Sequence, residues 1–93
     1  MTSYKIILQI HPSIPSEIDS LQGEFEEGTK LLEGVISMLS KVQKVSKILL
    51  HNGDIRPGFL LISNKIELRT TGKIYEFITE NMEIRIIPIS HGG

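Results

Sequence analysis

The chain predicts an α+β domain: a mixed sheet of four to five strands with one main helix across one face. Three observations predict it. Apolar residues alternate with polar ones near both ends, through Tyr4, Ile6, Leu8 and Ile10, and through Met82, Ile84 and Ile86. Only one stretch, Lys30 to Lys44, carries a sustained helical period, through Leu31, Leu32, Val35, Ile36, Leu39 and Val42. The order is therefore strand, strand, helix, strand, short strand, strand, and a single helix covers only one face of a sheet.

Tyr4 to Ile10 is the first strand, with Lys5, Ile7 and Gln9 on its second face. Pro12 and Pro15 end the alternation, so His11 to Ser16 is a loop. Ile18 to Phe25 is a second strand. Asp19, Gly23 and Glu24 make it polar enough for a sheet edge, antiparallel to the first strand. Thr29 is placed to cap the helix, and Glu26 and Glu27 precede it where the helix dipole favours negative charge. Lys41, Lys44 and Lys47 gather toward the other end, where they complement the dipole.

Ile48-Leu49-Leu50 is a short apolar segment, and His51-Asn52-Gly53-Asp54 signals a turn. Phe59 to Ile62 reads as a buried strand, Asn64-Lys65 as a turn, Ile66 to Arg69 as a short alternating strand, and Thr70 to Lys73 as a loop. Ile74, Tyr75, Phe77, Ile78 and Met82 add core candidates. In the last strand Met82, Ile84 and Ile86 face the helix. Arg85, Ile87 and Ile89 fall on the opposite face, which marks either a central strand or a partner-binding patch. Pro88 has no N–H to donate, so regular pairing is expected to fail around it.

Composition bounds the function. At 93 residues the chain is one domain, residues 1–93, with a single core. Hydrophobic residues make up 40%, but aromatics only 5% with no Trp, so the core is aliphatic. A net charge of −1 gives no broad attraction to nucleic acid or to an anionic membrane. The absence of cysteine removes disulfides, thiolate metal sites and a cysteine nucleophile together. The longest apolar run, Phe59 to Ile62, is far too short to span a membrane. The N-terminus moves straight into a strand without a signal-peptide pattern, and a cytoplasmic protein is expected.

No enzyme site emerges. His11, His51 and His91 lack metal-ligand spacing. Gly53, Gly58 and Gly72 do not form a phosphate loop. Glu24, Glu26 and Glu27 read as a solvated edge. No metal and no cofactor bound by this chain are expected.

The last residues are different. Met82-Glu83-Ile84-Arg85-Ile86-Ile87-Pro88-Ile89 is followed by Ser90-His91-Gly92-Gly93. Glycine has no side chain to pack, so the Gly-Gly end keeps the backbone thin and flexible, expected over about residues 90–93. Two readings stand: a ragged polar terminus, or a tail made to enter a narrow enzyme channel.

Two motifs carry a resemblance. Asp54-Ile55-Arg56-Pro57-Gly58-Phe59-Leu60-Leu61-Ile62-Ser63-Asn64 joins an Arg-Pro-Gly to an apolar strand and an Asn turn. Ile87-Pro88-Ile89-Ser90-His91-Gly92-Gly93 joins an apolar strand to His-Gly-Gly. Together they resemble the ubiquitin-related modifier family, over roughly Asp54 to Gly93. The first half matches in element order only. The resemblance implies the β-grasp, or ubiquitin-like, fold. It implies that Gly93 is the reacting C-terminus and that Gly92 and His91 serve tail recognition. It also implies that a ubiquitin-activating-type enzyme adenylates Gly93 with ATP and a sulfur donor converts it to a thiocarboxylate. The sulfur then passes to a tRNA-thiolating enzyme, or Gly93 forms isopeptide bonds with lysines of target proteins.

Arg56, Arg85, Ile87 and Ile89 are the candidate partner-binding surface. For Arg56 the simpler reading is structural, since Pro57 fixes φ and Gly58 permits an unusual turn before the strand. Two alternatives remain open: the small sulfur-carrier subunit of a molybdopterin synthase, which shares the fold and the Gly-Gly end, and a ubiquitin-like module that binds through its surface alone.

Overall fold

The computed structural model describes residues 2–89. The expected mobile tail from Ser90, with His91, Gly92 and Gly93, lies outside them. The elements are β1 (Ser3–Ile10), β2 (Ser20–Glu26), α1 (Leu31–Ser40), α2 (Gln43–Leu49), β3 (Leu50–His51), β4 (Asp54–Ile55), β5 (Phe59–Ser63), β6 (Ile66–Glu67) and β7 (Met82–Pro88), with a 3-10 turn at Lys73–Tyr75.

β1 and β7 lie side by side at the middle of the main sheet, whose order is β2-β1-β7-β5-β6. They run parallel, from Ile6 opposite Met82 to Ile10 opposite Ile86, while the other neighbours are antiparallel. The even-numbered residues of both strands turn to the helix side. Ile6, Leu8, Ile84 and Ile86 are accordingly buried there with Val35, Met38 and Leu39 of α1 and Leu61 of β5. The core is aliphatic, as composition requires, with Phe25 and Phe59 only packed against its margin.

The expected helix, Lys30 to Lys44, is two. Ser40 returns its hydroxyl to the Ile36 carbonyl at 2.7 Å, a bond that competes with helical continuation. The chain breaks at Lys41 and Val42, and Val42 is extended. Ile48 and Leu49 then belong to α2, which buries Val45 and Leu49 one turn apart. Of the three lysines, Lys47 sits in the last turn of α2, while Lys44 pairs with Glu17 in an exposed contact of 2.6 Å.

Thr29 is not the N-cap of α1. Lys30 holds that position, with no side-chain cap. Strand-like pairing replaces it: the Leu31 amide donates to Glu76 O at 2.9 Å, and the Ile78 amide to Thr29 O at 2.8 Å. That pairing sets Ile78 in the core and Phe77 outside, 56% exposed, while the 3-10 turn buries Ile74 and leaves Tyr75 62% exposed. The expectation that both aromatics are core is therefore overturned. Around Phe77 the segment is extended, and alternation sends Phe77 and Ile78 to opposite faces; Tyr75 ends the 3-10 turn.

Two turns follow the sequence signals. Asn52 and Gly53 both have positive φ, at 52° and 76°, as do Asn64 and Lys65 at 50° and 66°, which is the mirror-image turn that closes two-residue hairpins. The short strand after Asn64-Lys65 holds only Ile66 and Glu67; Leu68 and Arg69 already turn away.

Candidate functional site

The face of the sheet away from the helices has no covering layer among the described residues. β1 contributes Ile7 and Gln9 to it, β5 Leu60 and Ile62, and β7 Arg85 and Ile87. The register sets Leu60 opposite Ile87, Ile62 opposite Arg85, and Gln9 beside Arg85. Ile7, Leu60, Ile62 and Ile87 are half-buried, and Ile89 is 40% exposed. Gln9 donates to the Glu83 carboxylate. Arg85 makes no ion pair or side-chain hydrogen bond among the described residues. The face therefore combines an aliphatic strip with two cations that are unpaired among the described residues, Lys5 toward the start of β1 and Arg85 toward the end of β7. A cleft of about 90 Å³ lined by Gln9, His11, Pro12, Arg85 and Ile87, among others, opens beside it.

Pairing persists through Pro88, contrary to the expectation that it would fail there. Pro88 lies opposite Phe59, and the Ile89 amide donates to Gly58 O at 2.9 Å. That bond sets the phase: Arg85, Ile87 and Ile89 turn their amides toward β5, while Pro88 turns its nitrogen toward β1. β1 has already ended there, since Ile10 opposite Ile86 is the last pair. The missing N–H thus falls where no acceptor waits, the position a sheet tolerates for proline.

The Arg-Pro-Gly segment and the root of the tail are in this way brought into direct contact. Arg56 is placed apart from the open face. Its guanidinium reaches Lys47 O at 3.4 Å, in the last turn of α2, and its amide donates to Leu49 O at 2.8 Å. The guanidinium supplies a positive group to carbonyls at a helix end.

Two residues that sequence reasoning passed over hold this region. Arg69 donates to Ile55 O at 3.0 Å, Arg56 O at 3.0 Å and Phe59 O at 2.8 Å. Glu67 accepts from the Leu61 amide at 2.9 Å and the Thr70 amide at 2.7 Å. β6 is too short to cover β5, so these side chains satisfy the edge where backbone is missing. Burial works against the charged Glu67, but the amides of Leu61 and Thr70, aided by the Thr70 hydroxyl and the Arg69 amide, outweigh it. Its pKa is held below the ordinary 4.5. The available signal was the pattern Ile66-Glu67-Leu68-Arg69, in which two charges alternate with apolar residues too few to make a strand.

Among the described residues no group of three His, Asp or Glu is arranged to hold a metal. No helix there is long and apolar enough to cross a membrane.

No protein-family model matches the chain, and no curated protein does. Solved structures do. The small archaeal modifier protein 1 (SAMP1) from Methanosarcina acetivorans superposes with a TM-score of 0.71 at 14% identity, covering 100% of both chains. Urm1 from Trypanosoma brucei gives 0.70 at 22% identity, covering 100% of this chain and 99% of that one. The HVO 2177 protein of Haloferax volcanii gives 0.70 at 12% identity over 98% of this chain and 88% of its own. Five strands in the order described, with helices on one face, in the same arrangement as these proteins, make the chain a β-grasp domain of ubiquitin-like fold.

Proposed function

We propose that the chain is a sulfur carrier and ubiquitin-like modifier, acted on by enzymes and not itself an enzyme. The observation that carries this reading is the bond from Ile89 to Gly58. It fixes the strand end beside the Arg85 and Ile87 face, so that Ser90-His91-Gly92-Gly93 begins from a defined point next to a docking surface.

The Gly93 carboxylate, with an ordinary pKa near ~3.5, is ionised at neutral pH. In an adenylating enzyme of the ubiquitin-activating type it attacks the α-phosphate of ATP and releases pyrophosphate. The terminal sulfur of an enzyme persulfide then displaces AMP from the acyl-adenylate. A second thiol cleaves the resulting acyl disulfide, leaving a thiocarboxylate on Gly93 and a disulfide on the enzyme. Both thiols belong to the partner, since this chain has no cysteine. The thiocarboxylate serves tRNA uridine thiolation, or the activated Gly93 is joined to lysines. Gly92 and Gly93 fit the channel, and His91 is a spacer with recognition value. Arg85, Ile87 and Ile89 dock the activating enzyme, with Arg56 in a secondary role.

The uncovered aliphatic strip supports a second reading, a module that binds partners through this face without covalent chemistry. Intact mass spectrometry separates the two. The protein is incubated with ATP, an activating-type enzyme and a persulfide donor, beside a copy lacking Gly93. Exchange of one oxygen for sulfur, only with the intact tail, is the expected result. No exchange with an active partner enzyme removes the covalent mechanism.

A further inference from the structure

The two edges of the main sheet are finished differently. On the β5 side, Leu68 N, Glu67 and Arg69 occupy the outward groups of Leu61 and Phe59. On the other side β2 has seven residues in unbroken register with β1, from Ser3 opposite Glu26 to Gln9 opposite Ser20. The bonds from the Ile10 amide to Asp19 O and from the Glu27 amide to Thr2 O set its phase. Asp19, Leu21, Gly23, Phe25 and Glu27 turn their backbone groups toward β1. Ser20, Gln22 and Glu24 turn theirs outward, and no group among the described residues bonds them.

Apart from the charges of Glu24 and Glu26, common devices that blunt an edge are absent from β2. It has no proline, no bulge and no lysine, and seven residues is not a short edge strand. Gly23, at its middle, presents no side chain. Its Cα faces the Phe25 ring and Met38 closely enough that a Cβ there would lie 3.0 and 3.1 Å from them. The helix side of Gly23 is thus filled, whereas Ser20, Gln22 and Glu24 are exposed, which leaves the outward backbone of the edge open to a second strand.

Charge decides what approaches. Between Lys5 and Lys30 there is no lysine or arginine, whereas Glu17, Asp19, Glu24, Glu26 and Glu27 all fall there. Only Glu17 is ion-paired among the described residues, with Lys44. A second copy paired through β2 would bring Glu24 and Glu26 against their equivalents, and like charges across a strand pair are destabilising.

We propose that the β2 edge is a docking site for an extended basic segment of another protein, added as a sixth strand. Its backbone pairs with Ser20, Gln22 and Glu24. Its lysines or arginines lie on the open face beside Glu24 and Glu26, and small apolar residues alternate with them beside Leu21 and Phe25. This edge is distinct from the Arg85 and Ile87 face and does not depend on the tail.

The test is a titration of the ¹⁵N-labelled protein with the acetylated, amidated hexapeptide (Lys-Val)3, beside (Glu-Val)3. The lysine peptide shifts the Gln22 and Glu24 amides and slows their hydrogen exchange, and it binds at least about tenfold tighter than the glutamate peptide. Gln22→Pro removes an outward N–H without breaking a bond to β1, so the fold persists and binding is lost. The pair Glu24→Lys and Glu26→Lys inverts the peptide preference. Shifts confined to the Arg85 face, equal affinity for both peptides, unchanged binding by a folded Gln22→Pro protein, or self-association through β2 each overturn the proposal.

Discussion

The Ile89 amide and the Gly58 carbonyl meet at 2.9 Å, one residue beyond a proline and one before the tail. The sheet is thereby extended past Pro88. Replacing Ile89 by proline removes this donor while leaving the side of the strand that faces β1 untouched. The expected cost is about 1 kcal/mol in urea unfolding, with faster hydrogen exchange at the Ile87 amide and a raised KM for the activating enzyme.

Arg69→Met leaves three carbonyls without their donor. Because these are charge-assisted bonds in a half-buried site, a loss of roughly 2–4 kcal/mol is expected by denaturant titration. Arg69→Lys recovers only part of it, since an ammonium cannot reproduce the planar fork. The chemical shifts of Arg56 and Gly58 move in both variants, because the turn rests on this guanidinium.

Glu67 makes the fold sensitive to acid. Its folded pKa lies below the ordinary 4.5, so the unfolded chain binds the proton more readily. The contribution is present in full above the unfolded value and is lost as pH falls through the lower folded one. In Glu67→Gln that part of the decline below pH 4.5 disappears, while stability at pH 7 is reduced. Urea midpoints compared across that acid range in both proteins check the sign.

Arg85→Glu reverses the cation beside Ile87 on the open face. Stability is expected within about 0.5 kcal/mol of the parent, as for other exposed positions. The KM for the activating enzyme rises with kcat nearly unchanged, read by pyrophosphate release.

Gly92→Val sets the covalent reading apart from a purely surface-binding one. Adenylation is blocked, thermal unfolding is unchanged, and non-covalent association with the activating enzyme, measured by calorimetry, is retained.

Much of the fold was legible because its strands carry strong local signals. Ile6 and Leu8, with Ile84 and Ile86, alternate cleanly and are completely buried or nearly so. Asn52-Gly53 gives its turn outright. What was not legible depends on distant partners. Nothing local to Thr29 and Lys30 reveals that residues 76–78 pair with them, so the cap was misplaced. The same pairing turns Phe77 outward, and the 3-10 turn does so for Tyr75. The break at Lys41 and Val42 rests on Ser40, whose helix propensity alone does not end a helix. At the candidate site, Arg85 and Ile87 could be placed on one face by counting residues along a strand. Arg69 could not, because its acceptors Ile55, Arg56 and Phe59 lie across a turn.

The parallel pairing of β1 with β7 also separates Ser3 from Ile89. From Ser3 to the level of Ile89 the sheet advances about ten residues, roughly 30 Å at ~3.3 Å each. Had the central strands been antiparallel, the start of β1 would stand next to the departing tail. As built, Ser3 lies at the far pole, a spectator position. Under the proposed function, a dye, affinity handle or fused reporter placed there follows the protein through activation and transfer from the side away from Ile89.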